Sequence, residues 1–175
     1  MKLRIASKLL SVHDKIHITD EYDNPLYEVH TNAITMTDKT HIKTPDGTEV
    51  AYCHAKLFSP MHHTCYVEMV DGTAFEMSRE WTHATDIIDI EGLGWQLRGE
   101  HMITLNFDLT DAEGNVLAAA HNDLVSLRDV FEVEVYDEED VDIIAAIFVM
   151  FKHMVEQRRK SASDTKPIAT PEASA

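Results

Sequence analysis

Five residues between positions 53 and 65 are of types that ligate zinc: Cys53, His54, His62, His63 and Cys65. Zinc takes four such groups in a tetrahedron. Their spacing, C-H-x7-H-H-x-C, lacks the C-x2-C pairing of strong zinc motifs. Neighbours along a strand face opposite sides, so Cys53 and His54 do not easily share a metal. Cysteine on an apolar face behaves as a small hydrophobe. Structural cysteines beside loop histidines are the favoured reading, with His62, His63 and Cys65 as weak metal candidates. A second cluster, Asp137, Glu138, Glu139, Asp140 and Asp142, offers the oxygen ligands that calcium takes. It lacks the spacing and the glycine of an EF-hand loop. Acids at a helix start explain it without a ligand, so Asp137, Glu138 and Asp140 are again only weak candidates. No cofactor is expected.

The chain contains no G-x-S-x-G, H-E-x-x-H, P-loop or G-x-G-x-x-G pattern. No catalytic residue can be named, and no enzyme is expected. Gly92-Leu93-Gly94-Trp95 reads as a turn that leads into an aromatic strand. Trp81 and Trp95 suit packing or a rim position. His17 and His41 sit on polar faces and read as solvated strand histidines.

Composition narrows the function classes. The 175 residues include 44% apolar and 26% charged types, which suits one globular domain. Fifteen Lys and Arg stand against 31 Asp and Glu, a formal net charge of −16. Nucleic-acid binders carry a basic footprint, so no nucleic-acid partner is expected. Docking on anionic lipid by charge alone is disfavoured for the same reason. Two cysteines give no disulfide framework. Charges interrupt residues 1–10, so they do not form the apolar run of a signal peptide, and a cytoplasmic location is expected. Eleven histidines would offset much of the acidity near pH 5–6, which suits a surface working in mild acid.

The elements that must position these residues are legible through a repeat. Residues 8–29 align with 32–53 at a shift of 24. Asp14-Lys15 then falls on Asp38-Lys39, and His17-Ile18 on His41-Ile42. Fainter copies follow; Asp111 to Leu117 echoes Asp20 to Leu26. Each copy reads strand, turn, strand, with turns at Asp23-Asn24-Pro25, Pro45-Asp46-Gly47, Asp71-Gly72 and Glu113-Gly114-Asn115. The flanks alternate with period two. Ile103, Leu105, Phe107 and Leu109 share one face. Phe131, Val133 and Val135 alternate with Glu132 and Glu134. Ala51, Cys53, Ala55 and Leu57 alternate with Tyr52, His54 and Lys56. This is an antiparallel meander with one dry face, and its regular spacing predicts a barrel or sandwich.

The pattern changes after Tyr136. Acids lead into nine consecutive apolar residues, 143–151, and bases follow. That order matches the helix macrodipole. A helix apolar all round is deeply buried or in a membrane. From Val141 to Val155 it is roughly 22 Å long, too short for a bilayer core of about 30 Å, so no transmembrane span is expected. Burial inside a barrel accounts for both features. A helix over about 138–157 is predicted, with Ile143, Ile144, Ile147, Phe148, Met150 and Phe151 as its buried side chains. The domain is expected over 1–157, followed by a disordered tail, 158–175, whose 161–175 portion reads SASDTKPIATPEASA.

Three stretches then carry a resemblance. They are K-x-x-S-x-x-D-K at 8–15, D-E-x-x-N-P-x-Y-x-V at 20–29, and the E-E-D-x-D-x-x-x-A helix start from 138. Together they resemble the LURP-one-related family of the Tubby C-terminal-like superfamily, over roughly 3–156. The resemblance implies a closed antiparallel barrel of about twelve strands around one hydrophobic C-terminal helix. Tubby proteins bind phosphoinositides through a basic pocket, and no cluster of four or more bases lies in this barrel segment. Scramblase relatives are linked to calcium and membranes, and their cysteine-rich segments are absent here. The family is associated with plant defence. The function expected is a non-catalytic binding module for a lipid-like ligand, a membrane surface or a protein partner. The alternatives are a structural or stress-response protein without a small ligand, and a calcium-dependent scramblase-like protein.

Overall fold

Strands with one dry face must bring those faces together. In a computed structural model, which describes residues 1–7, 15–32, 39–59, 62–80, 86–99, 106–121 and 130–164, they do so by closing on themselves. Twelve strands follow in chain order: β1 (Lys2–Ser7), β2 (Lys15–Thr19), β3 (Pro25–Asn32), β4 (Lys39–Lys43), β5 (Glu49–Ser59), β6 (His62–Met69), β7 (Ala74–Glu80), β8 (Asp86–Glu91), β9 (Trp95–Gly99), β10 (Phe107–Thr110), β11 (Val116–His121) and β12 (Val130–Val135). Each pairs antiparallel with its neighbours in sequence, and β1 closes the barrel against β12, with Leu3 opposite Val133 and Ile5 opposite Phe131. At the end of that seam the Met1 ammonium donates to the Val135 carbonyl at 2.9 Å, and the Val135 amide donates back to Met1 at 2.8 Å. Closure removes every free sheet edge, the usual liability of a meander.

The 24-residue repeat has a structural cause. Loops after β2, β4, β6 and β10 share one hydrogen-bond pattern. Asp20, Thr44, Met69 and Asp111 each donate an amide to the carbonyl four residues on, in Asn24, Thr48, Thr73 and Asn115. Each also accepts from the amide three residues on, in Asp23, Gly47, Gly72 and Gly114. That third residue has positive φ in all four loops: 64° at Asp23, 90° at Gly47, 93° at Gly72 and 88° at Gly114. This is the bulged hairpin with a left-handed last residue. Asp20 and Asp111 reinforce it identically. Each carboxylate accepts from the following Asn amide and from its side-chain nitrogen, all at 2.8 Å. These bonds hold the Asp20 and Asp111 carboxyls below the ordinary carboxylate range.

The dry faces meet on a helix. Asp137 caps a short 3-10 turn, Glu138–Asp140, by accepting from the Glu139 amide at 3.0 Å. The chain then enters α1, Val141–Asp164. Residues 144–151 are each at most 2% exposed. Eight consecutive residues cover more than two helical turns, so this stretch has no wet side. Leu3, Ile18, Val29, Ile42, Met77, Ile88, Leu97, Leu109 and Val133 point at it from nine different strands. Phe151 meets Phe107 edge-on at 4.5 Å between ring centroids, and Phe131 at 5.9 Å. Ile144, Ile147, Phe148, Met150 and Phe151 are buried; Ile143 is only partly buried, packed against the core from the mouth.

Two expectations need correction. The helix continues to Asp164 instead of stopping near 157, so 158–164 are helical backbone. Gln157, Arg158, Arg159, Lys160 and Ala162 are strong helix formers, which carry it onward. His62 and His63 open β6 and are not in a loop. The expectations for Ile103, Leu105, Trp81 and the tail from 165 lie outside the described residues. Among the described residues no helix is long and apolar enough to cross a membrane.

Candidate functional site

With the lumen lined by apolar side chains and threaded by α1, polar chemistry falls to the outer wall and the rims. The zinc candidates divide accordingly. Cys53 and Cys65 both point inward and are buried. Burial, then the nearby Cys65 and Glu49, push the Cys53 thiol far up. His54 faces outward, so the wall of the barrel separates it from Cys53. The His62 and His63 side chains lie outside the described residues.

The acidic cluster is dispersed over separate tasks. Asp137 caps the 3-10 turn. Glu138 pairs with the Met1 ammonium at 3.4 Å. Asp142 accepts the Tyr27 hydroxyl proton in a short hydrogen bond. The Asp140 carboxyl is raised by burial and by its neighbours Asp137 and Glu139. Among the described residues no group of three or more His, Cys, Asp or Glu is arranged to hold a metal ion.

What the register assembles instead is a band of rings on the outer wall. His41 and Tyr52 are Cα partners, as are His54 and Tyr66. Ring centroids run His41 to Tyr52 at 5.0 Å, Tyr52 to His54 at 5.8 Å, and His54 to Tyr66 at 5.1 Å. The last pair is stacked, with 18° between planes. His41 Nδ1 also lies 2.8 Å from Glu49 Oε1, and His30 Nε2 lies 3.4 Å from Glu28. His17 stands opposite Glu28 on β2. The band ends at a groove of about 350 Å³ lined by His54, Tyr66, Glu68, Glu76 and Glu91, with Gly92 at its border. Burial, and the Glu76 and Glu91 carboxylates, push the Tyr66 hydroxyl up, and Glu76 takes its hydrogen bond. His54 Nδ1 is sealed from solvent and has no hydrogen-bond partner among the described residues.

A second groove, about 330 Å³, lies beside Gln96, Arg98, Thr110, Asp111 and Glu113. Its polar groups are already engaged with one another. Gln96 donates to Asp89 at 2.7 Å and accepts from Arg98 at 2.8 Å, and Asp111 serves its own loop.

Tyr52, Tyr66, Glu68, Glu76 and Glu91 were missed by sequence reasoning. Alternation places Tyr52 and His54 on a wet face. It does not say which wet residues of β4, β6, β7 and β8 come to stand beside them.

The profile of the LURP-one-related family matches residues 1–152. The chain is 26% identical over 151 residues to the uncharacterized protein YxjI of Bacillus subtilis (strain 168), covering 86% of this chain and 91% of that one. The X-ray structure of the Arabidopsis thaliana protein AT5G01750 superposes with a TM-score of 0.58 at 18% identity, covering 87% of this chain and 91% of that chain. At that identity the structural likeness speaks to the fold alone. With the profile match spanning most of its length, this chain belongs to the LURP-one-related family.

Proposed function

We infer that this protein is a non-catalytic binding module that works from its outer wall, and that its ligand is a protein partner. One observation carries the reading. Residues 144–151 of α1 occupy the lumen at no more than 2% exposure each, so the chain's own side chains take the place where a barrel would hold an apolar ligand. Binding is left to the wall. There, a net charge of −16 repels an anionic lipid surface and attracts basic protein.

Two measurements test it. Vesicle co-sedimentation uses neutral and anionic lipid, with and without calcium; pelleting with either would replace the protein reading by a membrane one. Photo-crosslinking residues placed at Tyr66 and, on the far wall, at the exposed Lys2 of β1 report contacts in cells. Reproducible crosslinks to one protein support the module. An empty result from both walls sinks it.

A further inference from the structure

Like charges directly opposite each other on neighbouring strands destabilise a sheet unless a cation sits between them. Glu76 of β7 and Glu91 of β8 are Cα partners, and Tyr66 of β6 is the Cα partner of Glu76 on its other side. Glu68, on β6, faces the same groove. Among the described residues none of these three carboxylates forms an ion pair. Three bases among the described residues have partners elsewhere. Arg4 holds Asp23 and Glu132, Lys43 holds Glu49, and Arg98 holds Gln96. Lys39 is the Cα partner of His54, on the β4 side of that ring and away from β7 and β8.

Among the described residues, the groove therefore carries three carboxylates without an ion pair, beside the stacked rings of His54 and Tyr66. That combination selects among cations. Calcium needs about six or more converging oxygens and zinc four converging ligands, and among the described residues no group of three or more His, Cys, Asp or Glu is arranged to hold a metal ion. A lysine ammonium would meet the charge but touch a ring only as a point charge. A guanidinium uses both more fully: its plane stacks on a free ring face while its N–H fork meets the carboxylates. The small border residue Gly92, at φ 102°, keeps the groove open beside Phe75; a β-carbon there would meet the Ala74 carbonyl at 2.8 Å.

We propose that the groove between His54, Tyr66, Glu68, Glu76 and Glu91 is the docking site for an arginine-bearing basic segment of a protein partner. The proposal rests on the binding-module reading above and deepens it. Arginine is the anchor, and neighbouring bases of the segment answer the rest of the acidic wall.

The test titrates the full chain with a synthetic peptide of alternating glycine and arginine, and with its lysine counterpart, following backbone amide shifts and heats of binding. The arginine peptide should bind more tightly, with shifts centred on Tyr66, Glu76 and Glu91. The double variant Glu76→Gln, Glu91→Gln should weaken it by about tenfold or more. The control Glu28→Gln, Glu132→Gln changes net charge equally at distant positions and should leave affinity nearly intact. Tyr66→Leu keeps apolar bulk and should erase the preference for arginine over lysine. Thermal melts confirm that each variant is folded. Equal losses in the two double variants, equal affinity for the two peptides, or no binding would each overturn the proposal. The far-wall crosslinker at Lys2, six strands from β7 in either direction around the barrel, separates the two readings. Crosslinks from Lys2 with a failed titration retire the groove and keep the module; a failed titration with no crosslinks retires both.

Discussion

Phe107 lies directly over the backbone of Gly99. The two are Cα partners across β9 and β10, and a β-carbon at position 99 would stand 2.1 Å from Phe107 Cε1. Gly99 faces the lumen, so its missing side chain is the space into which the phenyl ring folds on its way to Phe151. The same ring meets Phe151 edge-on. A glycine in one strand thus sets how the helix packs.

Gly99→Ala should therefore overpack the core. The expected cost is about 1–3 kcal/mol, read as a lower midpoint in urea. Adding Phe107→Leu should recover part of that loss, because the clash is with the ring. A strictly additive pair of losses would show that the contact is not the cause.

Phe148 sits 1% exposed in the middle of α1. Phe148→Asp places a carboxylate among apolar side chains with no partner, at a cost of several kcal/mol or more. The barrel should lose its cooperative melt by circular dichroism. A folded, cooperative variant would refute the threaded helix.

Tyr27 ties β3 to the start of α1 through Asp142. Burial, then the hydrogen bond and charge of Asp142, raise its hydroxyl well above the ordinary value of 10.0. A raised value means that the folded state keeps its proton longer than the unfolded chain. This contribution is complete below pH 10 and disappears as pH rises from there through the folded value. Tyr27→Phe should cost about 1–2 kcal/mol at pH 7. Its deficit against the parent should shrink above pH 10, as followed by urea midpoints across the alkaline range.

Asp20 and Asp111 hold equivalent loops with equivalent bonds. Their lowered carboxyls work in the opposite sense. The contribution is present above the unfolded value near 3.8 and is lost as pH falls through the folded one. Asp20→Ala and Asp111→Ala should lower the melting temperature by similar amounts at pH 7, and the double variant should add the two losses because the loops are distant. In strong acid all four proteins should converge. Unequal losses at pH 7 would show that one loop is held by something else.

The repeat was legible because these loops need the same residue types at the same step. Asp or Gly stands where φ is positive, and a short polar residue anchors the bulge at Asp20, Thr44 and Asp111, with Met69 in the fourth loop. Period-two alternation identified the inward set correctly at Cys53, Phe107, Leu109, Val133 and Val135. The apolar run 143–151 announced a buried helix from its lack of a polar side. Other features were not readable. The number of strands came with the family resemblance, since alternation does not count a closed sheet. The approach of Phe107 to Gly99 depends on which residues pair across β9 and β10. The juxtaposition of Glu76 and Glu91, and the His54–Tyr66 stack, depend on register in the same way. The end of α1 was misplaced because the apolar pattern stops before helix propensity does.

The position of α1 in the chain has a consequence for biosynthesis. All twelve strands leave the ribosome before the residues that fill them. Until 144–151 emerge, the inward faces have nothing dry to close upon, and the β1–β12 seam joins segments more than a hundred residues apart. Barrel closure is thus deferred until the helix has been made, and the nascent strands expose apolar faces until then. A stop codon just before the helix would yield a protein with every strand and no core. Such a product would be a client for chaperones and proteases rather than a hollow version of the native barrel.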